Sequence, residues 1–228
     1  GIGFTDYFEP DGDTSGVTIA VMTAAGLPVP GDPLANFLAD RPNAVTYPFE
    51  LQPSITTTAH VLHALALRRD PRAEKLAEWL LKRQQLDGRW YGDKWNQSWL
   101  YTSSHVAAAL ADCKHQAESA LSHLLSSLTV MQHPGGGWGE HGPTPEETAY
   151  ALLALRACAA AGIGGTTTET IMTRGAQWLA AQYRPFDDTI ERNAWIGKEG
   201  YRPRRLVRII ILAALLSHVE RVERAGTQ

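Results

Sequence analysis

A helical pattern that recurs every 45 residues constrains the fold of this 228-residue chain more than any other feature. The segments TTTAHVLHALAL, YTSSHVAAALAD and PEETAYALLALR place small or hydroxylated residues before an Ala/Leu-rich run, and they align His60, His105 and Tyr150. A more polar helical segment follows each of them. Helices that are apolar all round are buried, whereas amphipathic helices face water on one side. The alternation therefore predicts an all-α fold, an α/α barrel (toroid) of inner and outer helices, with an open helical solenoid as the alternative.

Strand patterns are scarce, and helical periodicity recurs between loops rich in glycine and proline. The pattern predicts helices over residues 14–26, 33–39, 55–69, 71–86, 100–114, 116–131, 145–162, 167–182 and 203–222. Pro71 and Pro145 mark helix starts, because proline is tolerated in the first turn.

Two of the outer helices end in the same signature, in which a glutamine precedes a tryptophan by six residues and a glycine lies between them. The signature residues are Gln84, Gly88 and Trp90, and Gln132, Gly136 and Trp138. A glutamine amide can hydrogen-bond backbone groups at a helix end, and the glycine permits the tight turn that brings the tryptophan over that end. We interpret both signatures as structural staples without a chemical role.

Composition narrows the possible functions. The net charge of −3 gives no indication of a nucleic acid partner, and no apolar run reaches the roughly 18 residues of a membrane span. Cys113 and Cys158 lie in apolar helical stretches, which indicates reduced core residues and a cytoplasmic protein. The sequence has no signal-peptide pattern and begins with glycine, so we interpret it as a fragment of a longer chain.

The Gln-to-Trp signatures resemble the QW motifs of triterpene cyclases and related terpene cyclases. QQLDGRWYGDKW and GGGWGEHGPTPEETAYALLALRA are similar to the matching segments of squalene–hopene cyclases, and PDGDTSG resembles the Asp-x-Asp-Asp-Thr-Ala acid motif of the superfamily. WIGKEGYRP resembles a segment near the end of the barrel in class II diterpene cyclases, in particular bacterial ent-copalyl diphosphate synthases. The resemblance implies that residues 1–228 are the α/α-barrel β domain, from the acid motif to the C-terminus, and that the γ domain is absent from this chain.

The acid-motif resemblance implies that Asp13 is the general acid. Protonation of an isolated alkene requires a buried carboxylic acid beside a dry cavity, where desolvation raises its pKa and keeps it protonated at rest. Asp11 and Thr14 would hydrogen-bond Asp13, and Thr14 departs from the third aspartate of the family motif. ITTTAHVLHAL resembles the stretch whose histidine bonds the catalytic aspartate, which implies that His60, as an imidazolium, makes Asp13 a stronger acid. The alternatives are that an aspartate merely caps helix 14–26 and that His60 is a satisfied polar residue.

Carbocations that form during cyclisation are stabilised by the faces of aromatic rings. The candidate lining residues are Trp95, Trp99, Tyr101 and Tyr150, each of which could instead be core packing. In the WIGKEGYRP segment, the ammonium group of Lys198 would bind a diphosphate oxygen. Tyr201 of the same segment is a further candidate substrate contact.

The resemblance implies protonation-initiated bicyclisation of geranylgeranyl diphosphate to (ent-)copalyl diphosphate, which is an isomerase (intramolecular lyase) reaction. Mg²⁺ would be bound mainly through the substrate diphosphate and the missing γ domain, which is the expected partner. The alternatives are a squalene–hopene-type triterpene cyclase and a non-catalytic α/α-toroid binding protein.

One further stretch has the spacing of a metal motif. FDDTIER places Asp187, Asp188 and Glu191 at the spacing found in class I metal-binding terpene synthases. It follows Pro185 in a predicted connection, and no second ligand set accompanies it. We therefore predict no metal site on this chain.

Overall fold

The structure is a computed structural model that describes residues 1–3, 5–38, 41–113, 116–184, 194–196 and 203–226. The described residues form helices and a few isolated β-bridges, without a strand longer than a bridge. The helices are α1 (Gly12–Ala24), α2 (Ala35–Leu38), α3 (Ile55–Leu67), α4 (Arg72–Leu81), α5 (Trp99–Ala111), α6 (Glu118–Val130), α7 (Pro145–Ala160), α8 (Gly165–Gln182) and α9 (Arg204–Gly226).

Each predicted helix corresponds to an observed one, and two boundaries differ in an instructive way. α1 begins two residues earlier than predicted, because Asp11 rather than a later residue is its N-cap. α4 ends at Leu81 instead of residue 86, since the chain turns there and frees Gln84 to bond backbone groups beyond the helix. Apolar periodicity does not predict the start of α1 or the end of α4, because both boundaries depend on side-chain hydrogen bonds to the backbone.

The helices form the two predicted layers. The inner row runs α1, α3, α5, α7 and α9, in which each helix packs on the next. The outer helices pack behind this row: α4 on α3, α6 on α5 and α7, and α8 on α7 and α9. α3, α5 and α7 are buried on nearly all sides because Ala, Thr and Ser allow close packing, whereas α4 exposes its charged face. The alternation places the first turns of the inner helices together at one end.

The two QW signatures are structural staples with nearly identical geometry, as predicted. Trp90 and Trp138 are fully buried, and their indole N–H groups donate to the carbonyls of Leu80 and Leu128, each at 2.8 Å. Both bonds reach back ten residues to the last turn of the preceding outer helix, where carbonyl groups lack helical partners.

The glutamines connect neighbouring outer helices. Gln84 donates to the carbonyl of Ala120 in α6 at 2.7 Å, and Gln132 donates to the carbonyl of Ile171 in α8 at 2.9 Å. Gly88 and Gly136 have φ values of 81° and 107°, a backbone conformation that glycine adopts without strain. Each staple therefore joins one outer helix to the next.

The helices at the two ends of the inner row carry apolar side chains that face solvent. On α1, Val17 and Val21 are 41% and 63% exposed. On α9, one side packs against α7 and α8, whereas the other exposes five large apolar residues: Leu206, Ile209, Leu212, Leu216 and Val219. Among the described residues, no helix is both long and apolar enough to cross a membrane. Cys113 and Cys158 are both free, and Cys158 is buried in the core.

Candidate active site

The two aspartates of the PDGDTSG segment have different surroundings. Asp11 is the N-cap of α1, and its Oδ1 accepts from the backbone N–H of Thr14 at 2.7 Å. Asp13 lies in the first turn of the same helix, with its side chain turned toward α3. The prediction that Asp11 and Thr14 hydrogen-bond Asp13 is therefore wrong for this structure, because the Asp11 carboxylate is engaged by the backbone at the helix start.

Asp13 is bound by two residues of α3, both through the same oxygen. His60 Nδ1 lies 2.9 Å from Asp13 Oδ1, and the Thr57 hydroxyl donates to that oxygen at 3.2 Å. Thr57 and His60 are three residues apart, so one face of α3 presents both. The Asp13 Oδ2 atom has no hydrogen bond within the described chain, and the side chain is 28% exposed. Two side chains therefore hold Oδ1 of Asp13 in place, whereas no described group holds Oδ2.

The electrostatics of the pair favour a carboxylate beside an imidazolium. Burial alone raises the pKa of Asp13, but the charge and hydrogen bond of His60, with smaller contributions from His105 and Thr57, lower it below its ordinary value. Burial alone lowers the pKa of His60, whereas the charge and hydrogen bond of Asp13, and then the charge of Asp93, raise it. In the 228-residue chain the charge and hydrogen bond of His60 outweigh desolvation, so burial by itself does not keep Asp13 protonated here.

A second histidine continues the arrangement. His60 Nε2 lies 3.0 Å from Nδ1 of His105, which occupies the matching position in α5. Burial, and then the charge on His60, lower the pKa of His105 to about 3. Asp13, His60 and His105 thus form a continuous hydrogen-bonded row across α1, α3 and α5.

Aromatic rings surround the inner end of this row. The Tyr101 ring meets His105 with centroids 4.6 Å apart, Tyr150 with centroids 5.3 Å apart, and Trp195 with centroids 5.4 Å apart, each edge to face. Tyr101 and Tyr150 are buried, and burial raises the pKa of both phenols well above the ordinary value. Two of the predicted lining residues are therefore beside the histidines.

The two predicted tryptophans are placed differently. Trp99 is buried, with its ring 4.9 Å from the Arg89 guanidinium, on another side of α5 from Tyr101. Two residues correspond to about 200° around a helix, so Trp99 and Tyr101 lie on different faces of α5, and the Arg89 contact of Trp99 favours the alternative that it is core packing. Trp95 lies in the loop before α5, half-buried, and its carbonyl accepts from the N–H of Ile196 at 2.9 Å.

A buried carboxylate lies behind the site. Asp93 is 4% exposed, and its Oδ1 accepts from the backbone N–H and the hydroxyl of Thr56 at 3.2 and 2.9 Å. The Ser54 hydroxyl and the Trp95 backbone N–H complete its partners. Asp93 thus fixes the start of α3, the helix that presents Thr57 and His60.

This fold matches a known family. The family model for the squalene–hopene cyclase C-terminal domain matches residues 38–205. The chain belongs to the squalene–hopene cyclase C-terminal domain family. Proteins similar to this chain are named as diphosphate synthases, so the resemblance to class II diterpene cyclases that the QW and WIGK segments indicated is confirmed.

Two curated proteins that are similar in sequence to this chain are named as diphosphate synthases. The chain is 42% identical over 221 residues to (+)-kolavenyl diphosphate synthase of Herpetosiphon aurantiacus, covering 95% of this chain and 41% of that protein. It is 37% identical over 177 residues to ent-copalyl diphosphate synthase of a Streptomyces species, covering 74% of this chain and 34% of that protein.

Structural similarity agrees with the sequence matches. The solved ent-copalyl diphosphate synthase of Streptomyces platensis superposes with a TM-score of 0.83 at 28% identity, covering 96% of this chain and 43% of that one. The predicted α/α barrel is confirmed by this match. The chain spans between about a third and about two fifths of the length of these relatives.

Several residues that the sequence analysis considered as substrate or metal contacts lie outside the described residues. These are Lys198, Tyr201, Asp187, Asp188 and Glu191. Within the described part of the chain, no group of three or more His, Cys, Asp or Glu side chains could hold a metal ion.

Sequence reasoning missed part of the site. Thr57 could have been identified by its three-residue spacing from His60, and His105 by its place in the 45-residue repeat. Asp93 and Trp195 gave no comparable signal, because loops rather than helical periodicity bring them to the site.

Proposed function

We propose that this chain supplies the general acid of a class II diterpene cyclase, with Asp13 as the proton donor. The observation that carries the proposal is the asymmetry of the Asp13 carboxylate: His60 and Thr57 bind Oδ1, whereas Oδ2 has no partner in the described chain. A proton on Oδ2 is free to leave toward an alkene, while the bonds to Oδ1 stabilise the carboxylate that remains.

The substrate itself completes the conditions for proton transfer. At rest, Asp13 is ionised beside His60, and 28% of its side chain is open. An apolar polyprene that covers this opening removes water from Oδ2, which raises the pKa of Asp13 and favours uptake of a proton there. His60 keeps its own proton, so the loaded acid is stronger than a carboxylic acid in an apolar pocket alone.

The reaction that fits this acid begins at the terminal alkene of geranylgeranyl diphosphate. The Oδ2 proton adds to the terminal double bond, two neighbouring double bonds close two rings in turn, and a base removes one proton from the bicyclic cation. The product, a copalyl diphosphate, is an isomer of the substrate: the base releases its proton to solvent, and Asp13 takes up the next proton when another substrate molecule binds. Relatives named as diphosphate synthases support a product that retains its diphosphate.

The aromatic residues beside the histidines suit the cationic intermediates. Tyr101 and Tyr150 lie next to His105, and Trp95 precedes α5, so we propose these three as lining residues. A desolvated cation over an aromatic face is stabilised by about 2 kcal/mol. The raised pKa values keep the phenols of Tyr101 and Tyr150 neutral, so no phenolate is present to trap the cation.

The remaining parts of the site are proposals about the longer protein. Lys198 and Tyr201 would contact the diphosphate, and Mg²⁺ would be bound by the diphosphate together with acidic residues of a γ domain. Further polypeptide that covered the exposed apolar residues of α1 and α9 would remove them from water, which is favourable.

The experiment is a product analysis of a protein of the relatives' length that contains this chain. It is incubated with geranylgeranyl diphosphate and Mg²⁺, or with squalene, and products are identified by gas chromatography–mass spectrometry after dephosphorylation. A bicyclic diphosphate supports the proposal. A pentacyclic triterpene from squalene would replace it with a squalene–hopene-type cyclase, and binding without turnover of either substrate would indicate a non-catalytic toroid.

A further inference from the structure

His60 has both ring nitrogens engaged by side chains from two different helices. Nδ1 lies 2.9 Å from Asp13 Oδ1 on α1, and Nε2 lies 3.0 Å from His105 Nδ1 on α5. A carboxylate can only accept, so Nδ1 of His60 donates to it. The protonation of His60 therefore depends on what His105 offers to Nε2.

The charged and titratable groups around His60 indicate whether its Nε2 atom carries a proton. They are Asp13 from α1, Asp93 from the loop before α5, His63 on α3 itself, and Tyr101 and His105 on α5. The contact with Asp13 and the charge of Asp93 favour the cationic form of His60, which carries a proton on each nitrogen. His105 stays neutral at physiological pH because burial and the charge of His60 oppose a second cation.

Neutral His105 has one ring proton, and the contact with His60 decides where it resides. If His60 Nε2 donates, His105 Nδ1 must accept, and its own proton lies on Nε2. That Nε2 atom is buried without a hydrogen-bond partner among the described residues. Tyr101 and Tyr150 pack against the ring, so His105 cannot easily turn its other nitrogen toward His60.

We propose that His105 is a positioning residue, which accepts from His60 Nε2 and thereby keeps His60 doubly protonated and aimed at Asp13. Its effect on Asp13 passes through His60. One part of the proposal states which imidazole nitrogens carry protons, and it is independent of catalysis. The other part, the effect of His105 on the acid strength of Asp13, rests on the proposed function of Asp13.

The first test measures the tautomer directly in the 228-residue chain. Long-range ¹H–¹⁵N correlation spectra at neutral pH should give His105 an unprotonated Nδ1 and a protonated Nε2, and His60 two protonated nitrogens. A protonated Nδ1 on His105 would overturn the proposal, and this readout needs no variant.

The second test removes the acceptor. His105→Phe keeps an aromatic ring against Tyr101 but cannot accept from His60, so the pKa of His60 should fall by about one unit or more. His105→Asn has an acceptor near the Nδ1 position and should restore most of this shift. His63→Gln is the matched control, since it removes a neighbouring imidazole without touching Nε2. An unchanged His60 pKa in a folded His105→Phe variant would refute the proposal.

The catalytic half is tested in the longer enzyme with the same variants. His105→Phe should move the pH profile of kcat/KM toward acid by the shift seen for His60, and His105→Asn should return it. If Asp13→Asn retained turnover, the proposed function would fail, while the tautomer and titration results would still decide the role of His105. An unshifted profile for His105→Phe, with Asp13 essential, would count against His105 alone.

Discussion

Gly16 of α1 lies directly against the backbone of His60 in α3. A Cβ built on Gly16 would be 2.9 Å from the carbonyl carbon of His60, and the conflict is with backbone that cannot rotate away. This approach brings the first turn of α1 close enough for Asp13 to bond His60. A glycine three residues after Asp13 thus serves the geometry of the candidate acid.

Gly16→Ala should therefore weaken both the fold and the pair. Alanine gains about 1 kcal/mol of helix propensity, but overpacking against backbone costs about 1–3 kcal/mol, so we expect a net loss of about 1 kcal/mol. The pKa of His60 should move toward its ordinary value as the two helices separate. Urea unfolding and an NMR titration measure both effects, with Val17→Ala on the exposed side of α1 as the control. A Gly16→Ala protein more stable than wild type would contradict this geometry.

Stability should depend on pH through the Asp13–His60 pair. The folded pKa of Asp13 is lowered, so its contribution is present above its unfolded pKa of about 3.9 and is lost as pH falls through the folded value. The folded pKa of His60 is raised, so its contribution is complete below about pH 6.5 and is lost as pH rises through the folded value.

Both contributions are complete only between about pH 4 and 6.5. The difference in unfolding free energy between wild type and Asp13→Asn, measured in urea, should be largest in that window and smaller on either side. A difference that is constant from pH 4 to 9 would mean that the pair does not titrate as described.

Trp138 should matter for stability rather than for chemistry. Its ring is fully buried and packs against Gly175 of α8, so Trp138→Ala should cost roughly 3–5 kcal/mol. Trp138→Phe keeps most of the ring but leaves the Leu128 carbonyl without its donor, and should cost about 1–3 kcal/mol. Denaturant unfolding measures both values. An unchanged midpoint for Trp138→Ala would contradict the staple.

The 228-residue chain alone should bind geranylgeranyl diphosphate weakly and produce no cyclic product in multiple turnovers. Asp13 is 28% exposed, so water reaches the carboxylate and would quench a cation before the rings close. The assay is purified chain with substrate and Mg²⁺, analysed for copalyl diphosphate after dephosphorylation. Sustained turnover would show that this barrel suffices by itself.

The sequence predicted the fold well because the fold follows from periodic local patterns. Inner and outer helices alternate in apolar content, and the QW glutamines and tryptophans occupy positions where helix ends need partners. Those requirements act within a few turns of the chain, so sequence spacing reveals them.

The site was less predictable because it depends on contacts between helices. The sequence alone does not distinguish the roles of Asp11 and Asp13. The structure does, because α1 begins at Gly12, which makes Asp11 the N-cap and places Asp13 in the first turn. The choice between lining and core packing stayed open for Trp99 because aromatic content does not tell which face of α5 a residue occupies. The lowered pKa of Asp13 follows from the short contact to His60, which spacing along the chain cannot supply.

The central claim, that Asp13 donates the initiating proton, is tested most directly by comparing two neighbouring substitutions in the protein of the relatives' length. Asp11→Asn keeps an N-cap for α1, because asparagine caps as well as aspartate, and should retain most turnover of geranylgeranyl diphosphate. Asp13→Asn removes the donated proton and should lower kcat at least about 100-fold, with the fold intact by circular dichroism. Turnover by Asp13→Asn within tenfold of wild type, or an equal loss in both variants, would contradict the account.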